Sequence, residues 1–272
     1  ALDAAKHYYA EGDYVKAIWL TDMAAKQTSS AEAAARLAWH FEQGLGVKID
    51  GRAAVHWYEV AIRRGDLESY NNLAAIFDDG RLVLQNSKRA MALYMKGAEL
   101  GNANAMLNIG RKYFEGRGVE FNAEKAEKYF RDAINAGSLK AKVNLAMFYL
   151  TEIPGSSISV DFGQAVSLIT EASDEGLSDA TNMLAGIYMA GIVAPQDFKK
   201  SKSLFTKTAR GNHPDGVFGL GHLYANGLGV KTDLKRGYIL MATAQQLGSQ
   251  AKMDQLPDIA KQLKDDDLND AL

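Results

Sequence analysis

The sequence contains no cysteine, only four prolines and little net charge. Without cysteine the chain has no disulfides, no thiolate metal ligands and no cysteine nucleophile, although such a chain is tolerated in any redox compartment. A formal net charge of -2 gives no attraction to phosphate backbones. We therefore predict that nucleic acid is not a partner.

Long apolar runs are also missing. No stretch approaches the roughly 20 apolar residues of a membrane span, and no apolar signal-peptide core precedes a cleavage site. We therefore predict no membrane insertion. The chain begins at Ala1 rather than at methionine, and we expect a periplasmic or secreted protein with a trimmed leader in preference to a cytoplasmic one.

A regular repeat is the main feature that the sequence does contain. An Asp or Asn suited to cap a helix by accepting hydrogen bonds from its free amides recurs after 36, 36, 39, 36 and 36 residues, at Asp50, Asn86, Asn122, Asp161, Asp197 and Asp233. Each is followed after 14 or 15 residues by a glycine, where a left-handed residue is expected to end the helix: Gly65, Gly101, Gly137, Gly176, Gly211 and Gly248. The two series predict six helix-turn-helix repeats.

The predicted boundaries follow from these two series and describe one continuous solenoid. Residues 1–30 resemble a tetratricopeptide helix pair, and residues 249–272 are predicted to form a C-terminal capping helix. Within the latter, Asp265 to Asp267 are expected to begin a last short helix, Leu268–Leu272. Between these ends we place repeats 1 to 6 at 31–66, 67–102, 103–138, 139–177, 178–212 and 213–248.

The turns inside the repeats are patterned as well, with GLGV at 44–47, GRGV at 116–119 and GLGV at 227–230. Together with the small, aromatic and capping positions, these turns resemble the Sel-one-like repeat family, a branch of the tetratricopeptide repeat superfamily. The resemblance implies an all-α fold, a right-handed α/α superhelix (solenoid) of paired antiparallel helices. Repeats 2, 4 and 5 depart from the pattern in their turns, which all lie on one edge of the array.

Small residues recur at one position of the first helices, and an aromatic residue follows each by three positions. We expect the small residue to let adjacent helices approach and the aromatic to fill the space beside it. The pairs are Ala38 and Phe41, Ala74 and Phe77, Gly110 and Tyr113, Ala146 and Tyr149, Ala185 and Tyr188, Gly221 and Tyr224.

No catalytic or metal-binding motif accompanies the repeat. The five histidines fall on different helices and faces, and none forms the i, i+4 pair of a helical zinc site. The GLGV turns follow a helix rather than a strand and lack the third glycine of a phosphate-binding loop, and no serine lies in a G-x-S-x-G elbow. We predict a protein that is not an enzyme and has no metal and no cofactor.

The repeat register predicts which side chains face a binding groove. In paired-helix solenoids the first helix of each repeat lines a concave groove that commonly receives peptide segments. Counting from the core Leu or Ile of each first helix selects the candidate partner-binding residues: Arg36, Trp39, Asn72, Asn108, Arg111, Phe114, Asn144, Met147, Met189, Phe218 and His222.

Two features stand out among the groove positions. Asn72, Asn108 and Asn144 form a ladder at 36-residue spacing. Their amides either hydrogen-bond the backbone of an extended peptide or brace neighbouring repeats, and the sequence leaves both alternatives open. Polarity also changes along the groove, from acidic in repeats 1 and 2 to apolar in repeats 3 to 5, which places the expected centre of the binding surface in repeat 3.

These observations favour a non-catalytic scaffold or adaptor that binds a protein or peptide in the concave groove. The alternative is a self-associating scaffold, a homodimer formed through the outer face or the terminal helices, and an enzyme is a third and weaker alternative. The family resemblance implies an adaptor of the kind that bacterial members provide in envelope assembly, secretion, signalling or host interaction.

Overall fold

The computed structural model describes residues 1–153, 158–251 and 254–263. Within these ranges the chain forms fifteen α-helices and no strand, so the predicted all-α class is confirmed. The helices are α1 Leu2–Ala10, α2 Tyr14–Gln27, α3 Ala31–Gln43, α4 Gly51–Arg63, α5 Glu68–Asp79, α6 Ser87–Glu99, α7 Ala103–Glu115, α8 Ala123–Asn135, α9 Leu139–Tyr149, α10 Phe162–Asp174, α11 Ser178–Ala190, α12 Phe198–Arg210, α13 Pro214–Asn226, α14 Leu234–Gln246 and α15 Leu256–Gln262.

The chain divides into two compact units, Ala1–Ala141 and Lys142–Leu272. The first compact unit contains the helix pairs α1/α2, α3/α4, α5/α6 and α7/α8, and the second contains α10, the pairs α11/α12 and α13/α14, and α15. The division falls within α9. In each unit, successive helices of 7 to 14 residues alternate with connecting segments, as expected of stacked helix hairpins.

The six predicted caps all begin second helices. The side chain of each cap residue accepts a hydrogen bond from a backbone amide two or three residues later, which satisfies a donor that the helix itself leaves unpaired. The pairs of cap and helix are Asp50 and α4, Asn86 and α6, Asn122 and α8, Asp161 and α10, Asp197 and α12, Asp233 and α14.

Five of the six predicted helix-ending glycines have a left-handed backbone, and Gly211 does not. Gly65, with φ of 95°, represents the five, whereas φ of Gly211 is -87°. The left-handed residue there is Asn212, with φ of 55°. Asn212 follows its cap Asp197 by 15 residues, the separation found in the other repeats, so helix length decides which residue turns. Asparagine tolerates this conformation better than most residues with a side chain.

The small residues of the first helices are buried, and their aromatic partners are tied to the caps. The aromatic residue's carbonyl accepts a hydrogen bond of 2.8 to 3.0 Å from the backbone N–H of the cap residue in all six repeats. At Gly110 the close neighbour is not Tyr113, however. A Cβ atom there would lie 2.7 Å from Cδ1 of Phe130 on α8, so the missing side chain lets α7 pack directly on that ring.

The C-terminal segment packs on the last repeat. Ile259 of α15 is 5% exposed and clusters with Ala225 and Met241, while Leu256 and Leu263 pack around them. Leu256, Ile259 and Leu263 thus cover apolar surface of α13 and α14. The predicted short helix Leu268–Leu272 and the acidic Asp265 to Asp267 lie outside the described residues.

Candidate functional site

A cavity of about 740 Å³ opens on the first helices of repeats 5 and 6, within the second compact unit. Three predicted site residues, Met189, Phe218 and His222, come together on its walls. The complete described lining is Asp179, Asn182, Met183 and Met189 of α11, Phe205 of α12, Asp215, Phe218, Gly219 and His222 of α13, and Gln250, Ala251, Asp254 and Gln255 before or at the start of α15.

Helical spacing brings these side chains to one side of each helix. Asp179, Asn182 and Met183 lie at i, i+3 and i+4 on α11, and Phe218 and His222 lie at i and i+4 on α13. The rings of Phe218 and His222 stack with their centroids 6.3 Å apart. Each helix therefore presents a continuous patch of side chains to the cavity.

The buried wall of the cavity depends on a glycine. Phe205, only 5% exposed, contributes its ring to the lining. A Cβ atom at Gly219 would lie 2.4 Å from Cε1 of that ring, far inside van der Waals contact. The absence of a side chain at position 219 thus lets α13 approach the ring of Phe205.

A chain of hydrogen bonds orients one side of the rim. The hydroxyl of Thr208 donates to Oδ1 of Asn182 at 2.5 Å, so the amide nitrogen of Asn182 is free to donate to Nδ1 of His213 at 2.8 Å. Nε2 of the same ring donates to Oδ1 of Asp179 at 2.9 Å. Three side chains thereby hold the Asp179 carboxylate in place.

His222 contributes an aromatic ring to the cavity wall, and its surroundings favour the uncharged form of that ring. Burial lowers the pKa of His222 below its usual value, and a side-chain hydrogen bond with Gln255 opposes the shift in part. The amide of Asn226 donates to the His222 carbonyl at 2.9 Å and to Oε1 of Gln255 at 3.3 Å. These bonds attach the residues before α15 to α13.

A smaller depression of about 310 Å³ lies in the first compact unit and contains Arg36 and Trp39. The indole of Trp39 meets the ring of Tyr9 edge-on, with the ring centroids 5.5 Å apart. Arg36 lies 3.6 Å from Oε1 of Glu32, which is also part of the lining. Two predicted site residues therefore share this depression, where a cation and an anion are already paired.

The asparagine ladder is at least partly engaged within the fold. Nδ2 of Asn108 donates to Oδ1 of Asn71 in the preceding repeat at 2.8 Å. Nδ2 of Asn71 in turn lies 3.2 Å from Oδ1 of Asn72. Asn72 and Asn108, like Asn144, are half-buried. For Asn108 these contacts favour the alternative in which the ladder braces neighbouring repeats.

The remaining predicted site residues lie on α7 and α9. Arg111 is exposed and lies 3.7 Å from Glu115 one turn later, whereas Phe114 is half-buried. Met147 keeps 47% of its surface exposed. These residues leave accessible apolar and cationic surface, but none of them lines the cavity of repeats 5 and 6.

The acidic groove positions of repeats 1 and 2 take part in internal contacts. The Tyr58 hydroxyl donates to Oε2 of Glu42 at 2.7 Å. Asp78 forms an ion pair with Lys112 of the next repeat, and the side chains of the two are 17% and 6% exposed. These contacts between helices explain why carboxylates occur at these positions, and no bound ligand is needed to explain them.

Several lining residues were not predicted from the sequence. Asp179 and Asp215 were missed because the predicted groove positions began one turn too late on each helix. A signal for them exists, since both are the second residue of a first helix and they are 36 residues apart. Phe205 belongs to a second helix, and its exposure in the cavity depends on Gly219, a relationship between helices that no local pattern carries.

Neither a metal cluster nor a membrane-spanning helix is found in the described part of the chain. Those residues contain no group of three His, Cys, Asp or Glu side chains placed to hold a metal ion. The described helices are all too short or too polar to cross a bilayer.

Solved structures with a similar fold were compared with the chain. A Sel1 repeat protein from Oxalobacter formigenes has a TM-score of 0.75 at 23% identity, over 90% of this chain and 99% of that one. The protective antigen c5321 of uropathogenic Escherichia coli, which displays an SLR fold, has a TM-score of 0.71 at 21% identity; the match covers 99% of this chain but 58% of that one. These likenesses concern the fold alone.

Comparison with curated proteins gave no significant match. The family model of the Sel1 repeat, by contrast, matches seven segments, at residues 5–29, 31–66, 67–102, 103–138, 139–177, 178–213 and 214–249. The segment 5–29 contains most of α1 and all of α2. Because the matches extend over most of the sequence and coincide with the capped helix pairs, the chain belongs to the Sel1 repeat family.

Proposed function

We propose that this protein is a non-catalytic scaffold that binds a peptide segment of a partner protein in the cavity of repeats 5 and 6. Sel1 and related tetratricopeptide-like repeats generally mediate interactions between proteins. The observation that carries the proposal is the cavity itself, because its walls come from the first helices of two adjacent repeats and combine methionine and aromatic side chains with a few oriented polar groups.

The size and chemistry of the cavity suit an anchoring side chain. A volume of about 740 Å³ lies within the usual range of ligand pockets and accommodates one or two large apolar side chains. Met183 and Met189 adapt their shape to different partners.

The predicted residues of repeats 3 and 4 belong to different compact units and stay predictions separate from the cavity. Arg111 and Phe114 on α7 and the exposed Met147 on α9 present one cationic and two apolar side chains. We place the main anchor in repeats 5 and 6 rather than in repeat 3, because the concave lining there offers Met183, Met189 and Phe218 to one bound side chain.

The test is selection of peptides from a random display library on the full chain, followed by measurement of their affinities by calorimetry. Met183→Ala shortens a half-buried side chain on the cavity wall, and Phe162→Ala is the matched control, an exposed apolar residue of the same compact unit outside the lining. We expect the Met183 variant to bind selected peptides roughly five- to 100-fold more weakly, as for an interface anchor, and the control to bind normally.

Retained circular dichroism and melting temperature in both variants separate loss of binding from loss of folding. Equal affinities of wild type and the Met183→Ala and His222→Ala variants would exclude the cavity as the binding site. A mass that doubles with protein concentration in light scattering, and falls when the cavity is altered, would instead support the self-associating scaffold.

A further inference from the structure

The charge around the cavity identifies the kind of segment that fits it. Three aspartates, Asp179, Asp215 and Asp254, line the cavity, and none of its described lining residues is Lys or Arg. All three aspartates are exposed residues, so their carboxylates meet solvent at the rim. The lining therefore combines an apolar wall with an anionic rim.

The bonding of these carboxylates leaves their charge available. Asp179 accepts a hydrogen bond from Nε2 of His213, and Asp215 accepts one from the Ser249 hydroxyl at 2.7 Å. Neither carboxylate is paired with Lys or Arg in these contacts, which orient the two side chains at the rim.

The positively charged side chains of α12 do not offset the negative charge of the rim aspartates. α12 carries Lys199, Lys200, Lys202, Lys207 and Arg210. Four of them line a separate depression with Ser203 and Thr206, and none lines the cavity. On a helix, Lys199 and Arg210 point away from Phe205, the residue that α12 contributes to the cavity wall.

We propose that the cavity binds a segment of a partner protein in which a large apolar residue is followed or preceded closely by Lys or Arg. The apolar side chain occupies the wall formed by Met183, Phe205 and Phe218, and the cation lies among the rim aspartates. This inference rests on the proposed function, since it specifies the occupant of the same cavity. An acidic or purely apolar segment lacks the complementary charge.

Random peptide display on the full chain tests the inference, with the charge of the selected peptides as the readout. The test variant combines Asp215→Asn with Asp254→Asn, which removes two rim charges while keeping side-chain oxygens as acceptors. The matched control combines Glu152→Gln with Asp174→Asn, two exposed acids of the same compact unit outside the lining. Both variants have the same net charge, so nonspecific attraction is equal.

We expect wild type and control to enrich peptides that pair Lys or Arg with an apolar residue, and the test variant to lose that preference. For a selected peptide, each lost rim charge is expected to weaken binding roughly two- to fivefold, as for exposed ion pairs. Raising the salt concentration should reduce the difference between wild type and variant, because exposed charges are screened.

Three results would overturn the inference, and they are distinguishable. If the selected peptides are apolar but not enriched in Lys or Arg, or if wild type and the test variant select the same peptides, the rim charge does not contribute to recognition. The cavity would then remain a candidate peptide site. Binding that is indifferent to Met183→Ala would contradict the proposed function as well. If wild type forms dimers as its concentration rises and the test variant does not, the occupant of the cavity is a second copy of this chain, which would contribute the cations of its α12.

Discussion

The amide nitrogen of Asn182 lies 2.8 Å from Nδ1 of His213, and the same side chain accepts a hydrogen bond from Thr208. Asn182 thus connects the cavity-facing side of α11 to the end of α12 and the start of α13. Thr208 is only 4% exposed, and without Asn182 its hydroxyl keeps only the Phe205 and Leu204 carbonyls of its own helix as acceptors, at 3.2 and 3.4 Å. The relationship stabilises the repeat and orients the rim.

Asn182→Ala is expected to lower the free energy of unfolding by about 0.5–1.5 kcal/mol, the net contribution of a typical hydrogen bond within a protein. Thr208→Val removes the other member of the pair, and the double variant should be less destabilised than the sum of the single variants, by about 0.5–3 kcal/mol. Urea unfolding of the four proteins measures this coupling. Additive effects would show that the two side chains act independently, and Asn135→Ala, an exposed asparagine of α8, serves as the control.

His40 is expected to make stability depend on pH. It is fully buried, its Nδ1–H donates to the Leu45 carbonyl at 2.9 Å, and burial lowers the pKa of the ring. As the pH falls, the His40 ring therefore takes up a proton at a higher pH in the unfolded chain than in the folded one. The stabilising contribution is complete above the unfolded pKa of about 6.5 and is lost as pH falls from there through the native pKa.

Urea midpoints measured between pH 8 and pH 5 test this dependence. His40→Gln keeps a donor for Leu45 but no titrating ring, so its midpoint should fall less with acidification than that of wild type. His7→Gln is the control, because the His7 side chain is 68% exposed. Identical pH profiles for wild type and His40→Gln would contradict the assignment.

Gly110→Leu is expected to destabilise the first compact unit by roughly 1–3 kcal/mol, since the new side chain overpacks the contact with Phe130. Gly110→Ala adds only the Cβ atom, which would lie 2.7 Å from Cδ1 of that ring. Gly186→Ala is the matched change in α11, where no atom lies within 4 Å of the added carbon. Thermal melts should show a loss for Gly110→Ala and a gain of up to ~1 kcal/mol for Gly186→Ala. A gain for both would contradict the packing of α7 on α8.

Asn212 rather than Gly211 is expected to control the end of α12. Asn212→Ala puts a residue with a Cβ atom and no local hydrogen bond into the left-handed region and should cost about 1–2 kcal/mol, whereas Asn212→Gly should be neutral or slightly stabilising. Gly211→Ala should be tolerated, because φ of Gly211 is -87°. We expect the melting temperature to be highest with Gly at position 212, lower with Asn and lowest with Ala. If Gly211→Ala lowered the melting temperature more than Asn212→Ala, Gly211 would control the helix end instead.

The repeat architecture could be predicted from the sequence because its determinants are local. A capping side chain bonds within three residues of itself, so Asn122 marks the start of α8 wherever that helix packs. The same reasoning failed at Gly211, since the length of the helix, and not the nearest glycine, selects the residue that turns. The spacing of the cap residues alone predicted the helix pairs, and the segments matched by the family model coincide with those pairs.

The candidate site could be predicted only in part. Counting along one helix predicted Met189, Phe218 and His222 as groove positions, and all three line the cavity of repeats 5 and 6, but the same count treated all six repeats as equivalent. Asn108 and Asp78 occupy groove positions and yet bond to adjacent repeats. Whether a polar side chain faces a ligand or a neighbouring helix depends on what the adjacent repeat offers, which a single-helix pattern does not contain.

By itself, the sequence determined the class of fold, the capped starts of the six second helices, and the absence of cysteine chemistry, because these depend on composition and on contacts a few residues apart. Only the tertiary structure decided where the repeats leave a cavity. That outcome depends on Gly219 admitting the Phe205 ring, on Thr208, Asn182 and His213 holding Asp179, and on the segment before α15 bringing Asp254 to the same rim. Each of these relationships joins residues of different helices, whose approach is set by packing.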